Sequence, residues 1–242
     1  MAYSTDAYIT DRPVAEAIPA VRAAFIRKTY AHLAGAIAAF AGLETLLIQS
    51  GIGETITKSI FRGNSTIGMV ALMVGFIGAG YVARWWANSS TSKAMQYAGL
   101  ALYVVAEAII FLPLLYLAMY KTGDASLIGK AGLMTAGLVM GLTTAVLVTR
   151  VDFSYMRTAL CVLGFATLGV ILASYLLGFG LGIWFSAAMI LLAAGYLVYD
   201  TSNVLHHYPT THYVAASLEL FASVALLFYY ILRFAMQATS RE

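Results

Sequence analysis

Four acidic residues stand inside stretches that are otherwise apolar: Glu44, Glu107, Asp200 and Glu219. An ionised group at mid-bilayer costs about 2.5–3.5 kcal/mol on insertion scales, so each acid in such a stretch is a functional candidate. Glu107 lies six positions before Pro113 in a long apolar run, and Glu219 interrupts the last one. Asp200 closes the run before it, where Arg84 closes a much earlier one. Two carboxyls with a guanidinium at the same depth would make an ion or proton site, because the protonation of each acid depends on the charge of the other. The competing reading is that Arg84 and Asp200 bracket the membrane interface as water-exposed ends. Glu44 stands near the end of its run, where its side chain can also reach the interface. His206 and His207 are adjacent and cannot share a helix face, so they fit an interfacial loop tuning the pH response near Asp200.

These residues are carried by a chain of 242 residues, 61% apolar and only 10% charged, with a mean hydropathy of +0.83. Soluble domains are about 45–50% apolar and about 25% charged, so the chain belongs in a lipid bilayer. The apolar stretches fall at about Thr29–Ser50, Ile67–Ala87, Tyr97–Tyr120, Ala131–Thr149, Thr158–Leu177, Leu181–Asp200 and His212–Met236. Each is long enough to span a bilayer, which predicts an all-α, seven-helix polytopic protein. Between Thr158 and Tyr199 no charge occurs, and the glycines from Gly178 to Gly182 are where this length must fold back as a hairpin. Residues 1–28 mix acids, bases and two prolines. They read as an exposed cytoplasmic tail, with Val21 to Lys28 leading into the first span, ahead of one membrane domain over residues 29–242.

Orientation follows from the basic residues. With the N-terminus inside, Arg12, Arg22, Arg27, Lys28, Arg84, Lys93, Arg150 and Arg157 are inner, and Lys58, Arg62, Lys121, Lys130, Arg233 and Arg241 are outer. Eight against six places the N-terminus in the cytoplasm and the C-terminus across the membrane. Small residues at helix-packing spacing, such as Gly137 with Gly141 and Gly75 with Gly78, predict close helix contacts. In the last span Ala215, Ala216, Glu219, Ala222 and Ser223 share one stripe. A small, polar stripe has no place against lipid, so this helix should be surrounded by the others.

Several chemistries are set aside. The 14 Lys and Arg against 11 Asp and Glu form no basic run with interleaved aromatics, so no nucleic-acid partner is expected. The single cysteine, Cys161, excludes an internal disulfide and leaves no zinc cage. There is no His-Glu-x-x-His, no Gly-x-Ser-x-Gly and no phosphate-cradling loop, so no enzyme, metal or cofactor is expected. Tyr199-Asp200 is similar to one half of an intramembrane aspartyl protease, but the matching Gly-x-Gly-Asp is missing.

Five stretches in order resemble the Bax inhibitor-1 family, the transmembrane Bax inhibitor motif proteins, and most closely its bacterial YccA-like branch. They are Phe25-Ile26-Arg27-Lys28-Thr29-Tyr30, the third span from Tyr97 to Pro113, Thr149-Arg150-Val151-Asp152-Phe153-Ser154, Tyr199-Asp200-Thr201-Ser202-Asn203, and Phe228-Tyr229-Tyr230-Ile231-Leu232-Arg233-Phe234. The resemblance implies seven helices with the seventh enclosed by six, and a bacterial cytoplasmic (inner) membrane. It also implies, for some members, a pH-sensitive calcium leak gated by two aspartates on the sixth and seventh helices and latched by an arginine on the second. By position Asp200 matches the first aspartate and Arg84 the latch. Ser223 occupies the place of the second, with Glu219 one turn earlier on the same face as its stand-in and partner of Asp200. The YccA-like branch shares the serine, and there the resemblance implies association with a membrane-anchored ATP-dependent protease whose activity is modulated, the tail being the end such a protease engages. The transported species on the leak reading would be calcium or protons.

Overall fold

The computed structural model describes residues 12–61, 65–121 and 126–239, and among them the secondary structure is helical. A short 3-10 turn at Val14–Glu16 precedes α1 (Pro19–Gln49), α2 (Ile52–Phe61), α3 (Ser65–Ala87), α4 (Lys93–Lys121), α5 (Ser126–Thr149), α6 (Met156–Leu177), α7 (Ile183–His206) and α8 (Tyr213–Thr239). Seven of these are long and apolar enough to cross a membrane, as the composition predicts; α2, ten residues long, is the exception. Its sequence alternates Glu54, Thr57 and Lys58 with Ile52, Ile56 and Ile60, and Lys58 pairs with Glu54 one turn before it. Too short to span, it connects α1 to α3.

The predicted hairpin forms as the glycines require. α6 ends on Gly178, whose φ of +74° is a left-handed conformation that glycine adopts without a Cβ penalty, and Gly182 caps α7. α8 lies at the centre: Val214, Ala215, Ala216, Ser217, Leu218, Leu220, Phe221, Leu227 and Leu232 are all buried, more than one face can account for. The stripe of small residues therefore marks a helix enclosed on all sides. Aromatic rings lock it to its neighbours, Phe221 against Phe40 of α1 and Tyr103 of α4, and Phe228 stacked on Phe111 of α4 at 5.6 Å.

Close helix approach occurs, but not where the glycine spacing predicts it. Gly75, Gly78, Gly137 and Gly141 would each accept a Cβ with nothing within 4 Å. Gly99 of α4 is one tight position: a Cβ there would sit 2.5 Å from the Ala83 carbonyl oxygen and 2.6 Å from the Ala87 nitrogen of α3. Ala83 and Ala87 are fully buried on the other side of this crossing. Arg84, next in sequence to Ala83, is thereby held at a set depth. Spacing alone cannot tell a packing glycine from a lipid-facing one, since both are equally small.

The tail expected over residues 1–28 needs correction. Residues 1–11 lie outside the described residues, but α1 begins at Pro19, with proline in the first turn where its missing N–H costs nothing. Its 31 residues, about 46 Å long, outreach the hydrocarbon layer. Ahead of it the Val14 side chain is fully buried, its N–H donates to the Tyr208 carbonyl at 2.9 Å, and Pro13 bridges Pro209. The buried Val14 side chain and these two backbone contacts dock the segment onto the loop between α7 and α8. At the other end Gln237 donates to the Leu181 carbonyl in the α6–α7 hairpin. The two ends of the described chain thus lie at opposite ends of the bundle, as an odd number of spans demands.

Candidate functional site

Arg84 comes from the last turn of α3 and Glu219 from the second turn of α8. The Arg84 Nε donates to both oxygens of Glu219, at 2.9 and 3.0 Å. The guanidinium also lies over the Tyr103 ring, 5.0 Å from its centroid, and reaches back to the Gly80 carbonyl at 3.5 Å. A Cβ at Gly80 would lie 3.2 Å from the Arg84 Nη1, a tight contact that a small shift of the guanidinium relieves. The pair is half-open rather than sealed: the side chains keep 40% and 25% of their exposure.

Asp200 projects from α7 toward the same face of α8, where the Ser223 hydroxyl donates to its Oδ2 at 2.5 Å. Ser223 itself is buried. Asp200 interacts electrostatically with both Glu219 and Arg84, so three helices deliver two carboxyls and one guanidinium to one place. The charges therefore form a cluster, as expected, but the pairing within it is different. The direct bond expected between Asp200 and Glu219 is absent; Ser223 satisfies the first and Arg84 the second. A one-turn offset along α8 separates the two acids into neighbouring sites.

Glu107 is buried one turn from Tyr103 on α4, and the Tyr103 side chain stands between it and Arg84, interacting with both. Tyr103, itself 3% exposed, was not singled out from the sequence, although its i, i+4 spacing from Glu107 was legible there. Tyr208 is a second addition, close enough to Asp200 and Glu219 to feel both charges while its carbonyl holds Val14. Glu44 does not reach the interface: it is 5% exposed, and neither carboxyl oxygen meets a hydrogen-bond partner among the described residues.

Two further corrections concern the end of α7. Asp200 does not close the helix, which continues six residues to His206. His206 is therefore helical, its Nδ1 on the Ser202 carbonyl at 2.9 Å, and His207 is the C-cap. Neither histidine bonds within the Arg84 cluster. His207 Nε2 instead meets Asp152 of the α5–α6 loop at 3.1 and 3.2 Å. The Ser154 backbone N–H, donating at 2.9 Å, and then His207 pull the Asp152 carboxyl down to about 2. The Phe153 N–H donates to Ser202 of α7, so this loop is fastened to the same helix that carries Asp200.

Comparison with known proteins gives partial relatives. An uncharacterised protein of Pseudomonas aeruginosa is 30% identical over 122 residues, covering 50% of this chain and 54% of its own. The Golgi anti-apoptotic protein of vaccinia virus (strain Lister) is 30% identical over 115 residues, 46% of this chain and 47% of its own. Mouse protein lifeguard 4 is 29% identical over 128 residues, 49% and 50%. The chain thus spans about half the length of the curated relatives it matches, and no solved structure matches it. The family described as inhibitor of apoptosis-promoting Bax1 matches residues 22–240. With nearly its whole length inside that match, on seven apolar helices, the chain is an integral membrane protein that belongs to the Bax inhibitor-1 family.

Proposed function

We propose that the protein is a pH-gated cation leak in which Arg84 latches Glu219 and Asp200 is the second acid. The observation that carries this reading is the meeting of Arg84, Glu219 and Asp200 from three helices inside the bundle. Carboxylates in such a place attract cations, and the guanidinium neutralises one of them while the latch is closed. Arg84 and Glu219 tie α3 to α8, so releasing that pair frees Arg84 to turn away. Glu107, behind Tyr103, supplies a further acid deeper in the same interior. Calcium and protons are the cargo this donor set suits; the basic residues favour the N-terminus inside, and the resemblance to the YccA-like branch favours a bacterial inner membrane.

A second reading places the protein in the YccA-like branch as a modulator of a membrane-anchored ATP-dependent protease. Ser223 at the position of the second aspartate supports it. The docking of Val14 on Tyr208 weighs against it, since the segment from Pro13 onward is held by the bundle.

Purified full-length chain in liposomes, loaded with calcium- or proton-sensitive dye, tests the first reading. Flux above empty vesicles, rising on acidification and lowered by Asp200→Asn, is expected. Flux equal to empty vesicles at every pH would sink it and leave the protease reading in front.

A further inference from the structure

At the end of the bundle where Val14 docks, the starts of α4 and α8 meet the third turn of α1. The Tyr213 ring in the first turn of α8 lies under two ammonium groups, Lys28 of α1 at 5.3 Å and Lys93 of α4 at 4.4 Å from its centroid. Their nitrogens are therefore no more than about 10 Å apart. Among the described residues neither lysine has a carboxylate partner; the acids in ion pairs there are Glu54, Asp152 and Glu219, each held elsewhere. Lys93 is fixed by the Thr211 carbonyl and by Gln96. His32 braces the floor of the cluster, its Nε2 on the Tyr97 hydroxyl at 3.0 Å and its ring 5.1 Å from Tyr213.

Two positive charges no more than about 10 Å apart repel one another, and among the described residues no carboxylate pairs with either. Both lysines are exposed, and Tyr97 is 43% exposed. Tyrosines with lysines at the end of a membrane bundle sit at headgroup depth. Basic pockets between spanning helices take anionic lipid headgroups. We infer that Lys28, Lys93 and Tyr213 form a site for the phosphodiester headgroup of an anionic phospholipid. The two ammonium groups would share the phosphate, while the tyrosine rings line the glycerol side. A zwitterionic headgroup carries its own cation, which the lysines would repel, so the site should discriminate by net charge.

The full-length chain in neutral maltoside micelles is titrated with phosphatidylglycerol, phosphatidylcholine and inorganic phosphate, with bound lipid read by native mass spectrometry. At about 1 kcal/mol per interfacial lysine, each contributes roughly fivefold, so phosphatidylglycerol should bind about 25-fold tighter than phosphatidylcholine. Lys28→Gln, at a side chain with no hydrogen bond among the described residues, should lose about fivefold, and Lys28→Gln with Lys93→Gln the whole preference. Arg157→Gln, an exposed cation outside the cluster, should keep it. Thermal melting of each variant checks folding, and the single Lys28→Gln carries the test if the double variant is unstable. A preference unchanged in Lys28→Gln, an equal loss in Arg157→Gln, or saturation by inorganic phosphate without preference for phosphatidylglycerol would each overturn the assignment.

Discussion

The tie between α3 and α8 can be weighed by a double-mutant cycle on Arg84→Gln and Glu219→Gln. Unit charges about 4 Å apart at an effective dielectric of about 20 attract by about 4 kcal/mol. That figure is gross, because the two side chains keep 40% and 25% of their exposure and water screens them. One charge-assisted Nε–H, shared between the two Glu219 oxygens in a half-open site, leaves a net coupling of about 1–3 kcal/mol. Arg84→Gln alone should cost most, since it strands Glu219 beside Asp200 without a cation. The double variant should recover part of that loss, having no charge to strand. Reversible unfolding in mixed micelles at neutral pH measures all four proteins. A second cycle, Asp200→Asn with Glu219→Gln, should give a smaller interaction, because Ser223 and not Glu219 bonds Asp200. A coupling below about 0.5 kcal/mol between Arg84 and Glu219, or a larger one in the second cycle, would refute the latch.

Two other perturbations probe the same end of the bundle. Val14→Ala removes two buried methyl groups and should cost about 1–2 kcal/mol; melting temperature and the rate of proteolysis between Pro13 and Pro19 report it, and an unchanged rate would mean the segment is not docked in solution. Asp152 has its carboxyl drawn down to about 2 from an ordinary 3.8, so its stabilisation is present above pH about 4 and is lost as pH falls toward 2. Asp152→Asn should therefore flatten the acid limb of any assay of the α5–α6 loop, such as its cleavage rate against pH, and a limb identical to the parent's would show that the contact contributes nothing.

Seven spans, the glycine hairpin and an enclosed last helix were all legible in the sequence, for one physical reason. A bilayer imposes length and polarity on each segment separately, so local composition decides whether Ile67–Ala87 spans and whether the stripe from Ala215 to Ser223 can face lipid. The candidate cluster was legible to the same extent: Arg84, Glu107, Asp200 and Glu219 stand out because an apolar segment tolerates no idle charge. Which of them pair was not. Arg84 reaches Glu219 because Gly99 lets α4 press on Ala83 and Ala87 and so sets the depth of α3, a contact between helices that no single helix encodes. The glycines that looked like packing sites face open space, Val14 is buried by a loop nearly two hundred positions away, and His207 finds Asp152 rather than Asp200. Burial on each helix is a local property, but hydrogen bonds between helices depend on rotation and depth, and only the packed bundle decides those.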